Sequence, residues 1–308
     1  MTALENKIRE EAQKCEGMPV ALSGGVDSSL LTAIIRPKFA ISVRLPGDEK
    51  YDEIQHSSLV AQHLGIQHII VDLDESRFDE SVTEAVKAIG RPIPHFNIFP
   101  LFEMYKKLAE MGEKHLVLGD GPDETMCGYG RDLIINYLYK VYNFEAFKNY
   151  KPLLDKLLPS PEKAVSIVTG KLVNSEGLSA LDTIIKVDIE QMRPDMDDMS
   201  NLIAKHFGIT NHRPYQDNPE LDSFMRDLPI EQKVKDVEFG KYALREIAAK
   251  YLPKEIAWRK KKVGGPVYPV NIKKGWVDTD GEFGKSKWLE FQLDILNGGQ
   301  TVGNNNSI

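Results

Sequence analysis

Cysteine is scarce in this sequence, with two in 308 residues. Cys15 and Cys127 stand far apart and form no Cys-x-x-Cys pair, so neither a zinc site nor a dithiol redox motif is indicated. Long apolar runs are missing too: none approaches the ~18 residues of a membrane span. The opening Met1-Thr2-Ala3-Leu4-Glu5-Asn6-Lys7 has no signal-peptide apolar region. The expectation is a cytoplasmic protein with no membrane partner. An excess of positive charge is also absent. A net charge of −7 argues against a nucleic-acid partner, which would favour a basic chain or stripe; the local exception is Arg259 to Lys262. What remains is ordinary for a globular protein, 42% hydrophobic and 28% charged, and long enough for one large domain or two modest ones.

One stretch organises the rest: Val20-Ala21-Leu22-Ser23-Gly24-Gly25-Val26-Asp27-Ser28-Ser29-Leu30-Leu31. An apolar strand runs into two glycines, a carboxylate and three hydroxyls, then into an apolar helical segment, so the loop lies where a helix N-terminus meets a ligand. Gly24 and Gly25 let backbone approach an anion, Ser23, Ser28 and Ser29 add donors, and Asp27 can hold a divalent metal between phosphates. Read alone, the stretch also fits a serine-rich turn capping an ordinary helix. It is not a Walker loop, since no Gly-Lys-Ser/Thr follows.

Along the chain, Glu5 to Lys14 reads as a helix with Leu4, Ile8 and Ala12 as its buried stripe. Strands are predicted at Val20 to Leu22, Phe39 to Leu45, Gln67 to Leu73 and His115 to Leu118. Helices are predicted after the loop, over Asp52 to Leu64, around Ser81 to Ile89, and from about Pro100 to Met111. Four strands alternating with helices imply an α/β, doubly wound parallel sheet with ligand bound beyond the carboxyl ends of its strands. Beside the first loop there should then lie the loop after the fourth strand, Gly119-Asp120-Gly121-Pro122-Asp123-Glu124-Thr125. Three carboxylates so close to a phosphate cradle would repel unless a cation neutralises them, and magnesium is the natural bridge. The plainer reading is a Gly-Asp turn whose Asp123 and Glu124 favour a helix N-terminus.

S-G-G-x-D-S after a strand resembles the PP-loop of ATP pyrophosphatases. The order S-G-G-V-D-S-S, S-V-R-L-P-G, L-G-D-G-P-D-E-x-x-x-G-Y resembles the synthetase domain of asparagine synthetases. The likeness runs on through Arg213-Pro214-Tyr215-Gln216-Asp217, Lys241-Tyr242-Ala243-Leu244-Arg245 and Leu252 to Lys261, covering about Lys14 to Pro269. The resemblance implies that a carboxylate attacks the α-phosphorus of ATP, pyrophosphate leaves, and ammonia or an amine then displaces AMP to form an amide. It implies that Ser23, Gly24, Gly25 and Ser28 hold the pyrophosphate portion, with Glu124 at the same nucleotide site. Asp27 and Asp123 would hold Mg2+, while Leu22, Val43, Leu118 and Gly119 line the adenosine. Asp120 would serve the amide-forming step, and Lys261 would stabilise charge during chemistry, with Lys260 and Lys262 as adjacent alternatives.

The same resemblance divides the chain into a nucleotide-binding core over 1–143, a helical substrate-side half over 144–295 and a polar tail, expected to be disordered, over 296–308. Set against that family, no glutaminase domain is expected ahead of the loop, since position 2 is Thr2 and the nearest cysteine is Cys15. Free ammonia, another amine, or ammonia from a separate glutaminase subunit is therefore expected as nitrogen source, and a homo-oligomer remains open. Two segments depart from the family pattern, Arg91 to Asn97 and Asn201 to His212, so aspartate is not assured as the carboxylate; His95 and His212 lie there. An intramolecular lactam-type synthetase and an RNA-modifying PP-loop enzyme are the alternatives.

Overall fold

The structure, a computed structural model, describes residues 2–46, 54–93, 97–130, 132, 185–235, 238–260 and 285–298. Its centre is a five-stranded, wholly parallel sheet of β1 (Val20–Ala21), β2 (Phe39–Arg44), β3 (Gln67–Asp72), β4 (His115–Val117) and β5 (Thr210–His212), in the order β3-β2-β1-β4-β5. The sequence foretells four of these strands, shortened here by a residue at the carboxyl ends, and misses β5. Thr-Asn-His carries no alternation of apolar residues, and its pairing with His115 to Val117 is decided by partners 95 or more positions away.

Strand side chains alternate between two apolar layers, as the pleat requires. Val20, Ala40 and Val117 face a core built with α1 (Thr2–Gln13), α2 (Val26–Ile35) and the helices Pro219–Arg226 and Tyr242–Ala248. Phe39, Ile41 and Leu116 face the opposite layer, built with α4 (Phe78–Ile89), α5 (Ile98–Glu110), α7 (Arg193–His206) and the helix Lys285–Leu296. The expected stripe of α1 is fully buried, Leu4, Ile8 and Ala12 being at most 1% exposed. Between β2 and β3 runs α3 (Ile54–Leu64), and after β4 comes the single turn α6 (Pro122–Thr125).

The last helix does more than cover the sheet. Trp288 Nε1 donates to the Ile93 carbonyl at 2.7 Å and Gln292 Oε1 accepts from the Ile93 N–H at 2.7 Å, fixing the start of the Arg91 to Asn97 segment. His95, residues 133–184 and residues 299–308 lie outside the described residues, and with them the second half's proposed beginning and most of the expected disordered tail.

Candidate active site

Strand order reverses between β1 and β4, and there the loops that follow the two strands meet. Their approach is closer than any side chain would permit. A Cβ on Gly119 would stand 2.9 Å from the Ser28 nitrogen, and one on Gly24 would stand 2.7 Å from the Ser57 nitrogen at the start of α3. Gly24 also has φ +73°, a left-handed conformation that glycine adopts without strain. Ser23 Oγ and Ser28 Oγ lie 3.1 Å apart, the Ser23 N–H donates to Ser28 Oγ at 3.2 Å, and the Gly25 N–H donates to Ser23 Oγ at 3.3 Å. The loop thus holds its own shape. Helix α2 starts at Gly25 with no side-chain cap, so its first-turn N–H groups, which have no acceptor within the helix, face the loop's concavity. Leu22, Val43, Leu118 and Gly119 cluster at the carboxyl ends of β1, β2 and β4 beside it.

The negative charge beside this loop is neutralised from an unexpected quarter. Lys241 Nζ lies 2.5 Å from Asp27 Oδ2 and 2.8 Å from Asp123 Oδ1, with 4% of its side chain exposed. Burial pulls the ammonium's pKa down, but Asp123 and Asp27 more than offset this, and the net displacement is upward: the lysine stays charged. The chain thus brings a cation of its own to the carboxylates for which the sequence suggests magnesium. Lys241 sits in a left-handed turn, φ 56°, whose N–H donates to the Met126 carbonyl at 2.9 Å, docking it on the end of α6. Gly128 makes room, since a Cβ there would come 2.1 Å from Asp123 Oδ1 and 2.2 Å from Lys241 Cε. Behind Asp27, the buried Tyr215 hydroxyl donates to the Asp27 carbonyl at 3.1 Å. Glu124 accepts from the Tyr129 hydroxyl, and burial, reinforced by Asp123, pushes its carboxyl up to about 7.

Asp120 points another way. Its Oδ2 takes the Nε of buried Arg213 at 3.4 Å, and the same Nε lies 3.2 Å from Asp197 Oδ1. The guanidinium is completed by Asn201 Oδ1 at 2.9 Å and Ser200 Oγ at 2.5 Å, while Gln216 Nε2 donates to Asp197 Oδ2 at 2.8 Å. The Arg213 pair holds the Asp120 carboxylate in place, and with 53% of the side chain exposed the group remains open to a ligand. His212, on β5, meets His115 with ring nitrogens 3.0 Å apart rather than facing this cluster.

Lys261 and Lys262 lie outside the described residues, but the chain leading to them is firmly placed. Arg259 donates to the Gly24 carbonyl at 2.9 Å, and buried Arg245 donates to the carbonyls of Gly240, Ala257 and Arg259 at 2.8 to 3.0 Å. Lys260 turns outward to Glu238 at 2.6 Å. Sequence reasoning quoted Lys241 and Arg245 only as landmarks of a resemblance and gave neither a place in the site. No local pattern marks them, because their partners lie on the far side of the sequence.

A model of the asparagine synthase family matches residues 3–276 of the chain. The chain belongs to that family. It is 24% identical to asparagine synthetase B [glutamine-hydrolyzing] of Escherichia coli over 95% of its own length and 48% of the relative's. It is 23% identical to a putative asparagine synthetase [glutamine-hydrolyzing] of Methanocaldococcus jannaschii over 96% and 53%. The chain thus spans about half the length of these two proteins. An NH(3)-dependent NAD(+) synthetase of Carboxydothermus hydrogenoformans is 31% identical over 52% of this chain and 73% of that protein. The match extends the resemblance read from the motifs, and the parallel sheet is the PP-loop α/β fold expected of it. Among the described residues, no helix is long and apolar enough to cross a membrane.

Proposed function

We propose that this chain is an ATP-dependent amide-forming synthetase: it adenylates a carboxylate, releases pyrophosphate, and transfers the acyl group to ammonia or an amine with release of AMP. The observation that carries this reading is the Asp27–Lys241–Asp123 cluster at the junction of the serine-glycine loop and the β4 loop. Attack of a carboxylate on a triphosphate brings an anion onto a polyanion, so catalysis is chiefly neutralisation and alignment. Ser23, Gly24, Gly25 and Ser28 present donors at the N-terminus of α2 for the departing pyrophosphate. Lys241 holds the two carboxylates in register and supplies a positive charge beside them. Leu22, Val43, Leu118 and Gly119 form the apolar ends of the strands against which adenosine would lie.

Asp27 and Asp123 are hard oxygen donors brought within 2.8 Å of a single nitrogen, and this donor set suits a magnesium ion. Held there, the ion would supply neutralisation of the pyrophosphate. For the second half of the reaction, Asp120 is a solvent-accessible carboxylate held in place by Arg213, suited to taking a proton from the incoming amine. Lys261 follows two residues after Arg259, which is anchored on the Gly24 carbonyl, and we assign it the charge developing in both steps.

Ammonia or an amine is the nitrogen donor we favour over glutamine. Cys15 is buried, and burial first, then Asp217 and Glu11, push its thiol up to about 11, the reverse of what a thiolate nucleophile needs. Cys127 is also buried. The test is incubation with ATP, magnesium and a panel of carboxylates, with either ammonium or amide-labelled glutamine. AMP and pyrophosphate are expected, with amide formed from ammonium. ADP as product overturns the assignment, and label transfer from glutamine by this chain alone overturns the choice of nitrogen source.

A further inference from the structure

Strands β1 and β2 part company one rung before the adenosine side of the proposed site, and a side-chain relay marks the place. The ladder between them ends with the Leu22 N–H donating to the Ile41 carbonyl at 2.8 Å. In this parallel register the next rung would run from the Val43 N–H to the Leu22 carbonyl. That carbonyl is instead taken by the Ser42 hydroxyl. The Val43 N–H does not make that rung to the Leu22 carbonyl. Ser42 is buried, and its oxygen also lies 2.8 Å from His68 Nε2 on β3, whose Nδ1 is 3.3 Å from the Ser58 hydroxyl of α3.

Proton accounting fixes the roles. The single Ser42 proton goes to Leu22, so Ser42 accepts from His68 Nε2–H, and Nδ1 is left as an acceptor for the Ser58 hydroxyl. Burial lowers the His68 pKa and favours this neutral ring.

We propose that Ser42 and His68 are positioning residues that hold the Leu22 carbonyl out of the sheet, keeping the Val43 N–H and C=O open for the adenine edge and so setting the base specificity of the site. One N–H and one C=O from the same residue match the acceptor N1 and donor N6 of adenine. They mismatch guanine, which offers a donor at N1 and an acceptor at O6. The inference rests on the nucleotide-binding reading above and deepens it.

The experiment compares binding of ATP, GTP and inorganic pyrophosphate, each with magnesium, to the wild-type chain and to Ser42→Ala, His68→Leu, Ser42→Thr and His68→Gln. Loss of one well-placed hydrogen bond is worth about tenfold. Ser42→Ala and His68→Leu are therefore expected to weaken ATP by roughly that factor and to shrink the ATP-over-GTP preference equally. Pyrophosphate binding should stay unchanged, since the Ser23–Ser28 loop is intact. Ser42→Thr keeps the hydroxyl and His68→Gln keeps an N–H donor, so both should retain the preference. An unaltered ATP-over-GTP ratio in Ser42→Ala and His68→Leu overturns the inference while leaving the nucleotide reading standing, as does loss of pyrophosphate binding in step with ATP. A wild-type chain that binds neither nucleotide overturns both.

Discussion

The two loops that meet at the sheet's switch point are built on opposite plans. The loop after β1 is held by hydrogen bonds among Ser23, Gly25 and Ser28, all within five residues of one another. The loop after β4 is held by charge brought from far away: Lys241 pairs with Asp123 at 2.8 Å, and Arg213 reaches Asp120 across 93 positions. The first plan yields a cradle whose shape survives in neutral surroundings. The second yields a buried charge cluster whose members each need the others, because an ion in a low-dielectric site is costly without its partner. A substitution in the β4 region should therefore cost far more than its neighbour in the first loop.

The largest effect expected follows from removing the ammonium. Lys241→Met leaves Asp27 and Asp123 facing each other across a buried gap, and a broken buried pair costs about 3–5 kcal/mol. Turnover should vanish as well. Restoring charge balance with Lys241→Met plus Asp123→Asn should recover part of the stability without recovering activity. Urea unfolding of the single and double variants measures this; equal midpoints for the two would show that the lysine acts by packing alone. Ser23→Ala, which removes one neutral hydroxyl from the first loop, should cost about 1 kcal/mol in the same assay.

That contrast also decides what was legible in the sequence. The strand-loop-helix of Val20 to Leu31 reads directly because periodicity, glycines and hydroxyls are adjacent, and helices α1 to α5 and four strands were found within a few residues of their ends. The family's ordered motifs named Asp27, Asp120 and Asp123, and the structure brings all three to the carboxyl ends of β1 and β4. What could not be read is pairing. Nothing around Lys241 announces a buried ammonium, and a three-residue polar β5 carries no pattern.

A smaller effect tests the geometry of the same cluster. Gly128→Ala places a methyl against Asp123 Oδ1 and Lys241 Cε, closer than any real contact, so both must move. Overpacking of this kind costs about 2 kcal/mol. Because the displacement falls on the charge cluster, turnover should drop more than ATP affinity. Gly130→Ala is the control, since a Cβ there meets nothing within 4 Å, and it should leave both stability and activity unchanged. A harmless Gly128→Ala would mean that the Lys241 turn is free to shift.

The smallest effect separates the cluster's electrostatics from its packing. Glu124 is half-buried, accepts from Tyr129, and carries a carboxyl raised from 4.5 to about 7 by burial and Asp123. A carboxyl whose folded pKa lies above its unfolded value binds its proton more tightly in the native state. Its contribution to stability is therefore complete below about 4.5 and is lost as pH rises through about 7. The displacement caps the loss at about 3 kcal/mol, and partial solvent access brings it nearer 1. Glu124→Gln keeps the acceptor for Tyr129 and removes the titration. Its urea midpoint should match wild type at pH 4.5 and exceed it at pH 8, the gap opening between those limits. A gap that is constant with pH would place the Glu124 contribution in packing, and would mean that the crowding of Asp123 and Glu124 is already relieved by Lys241.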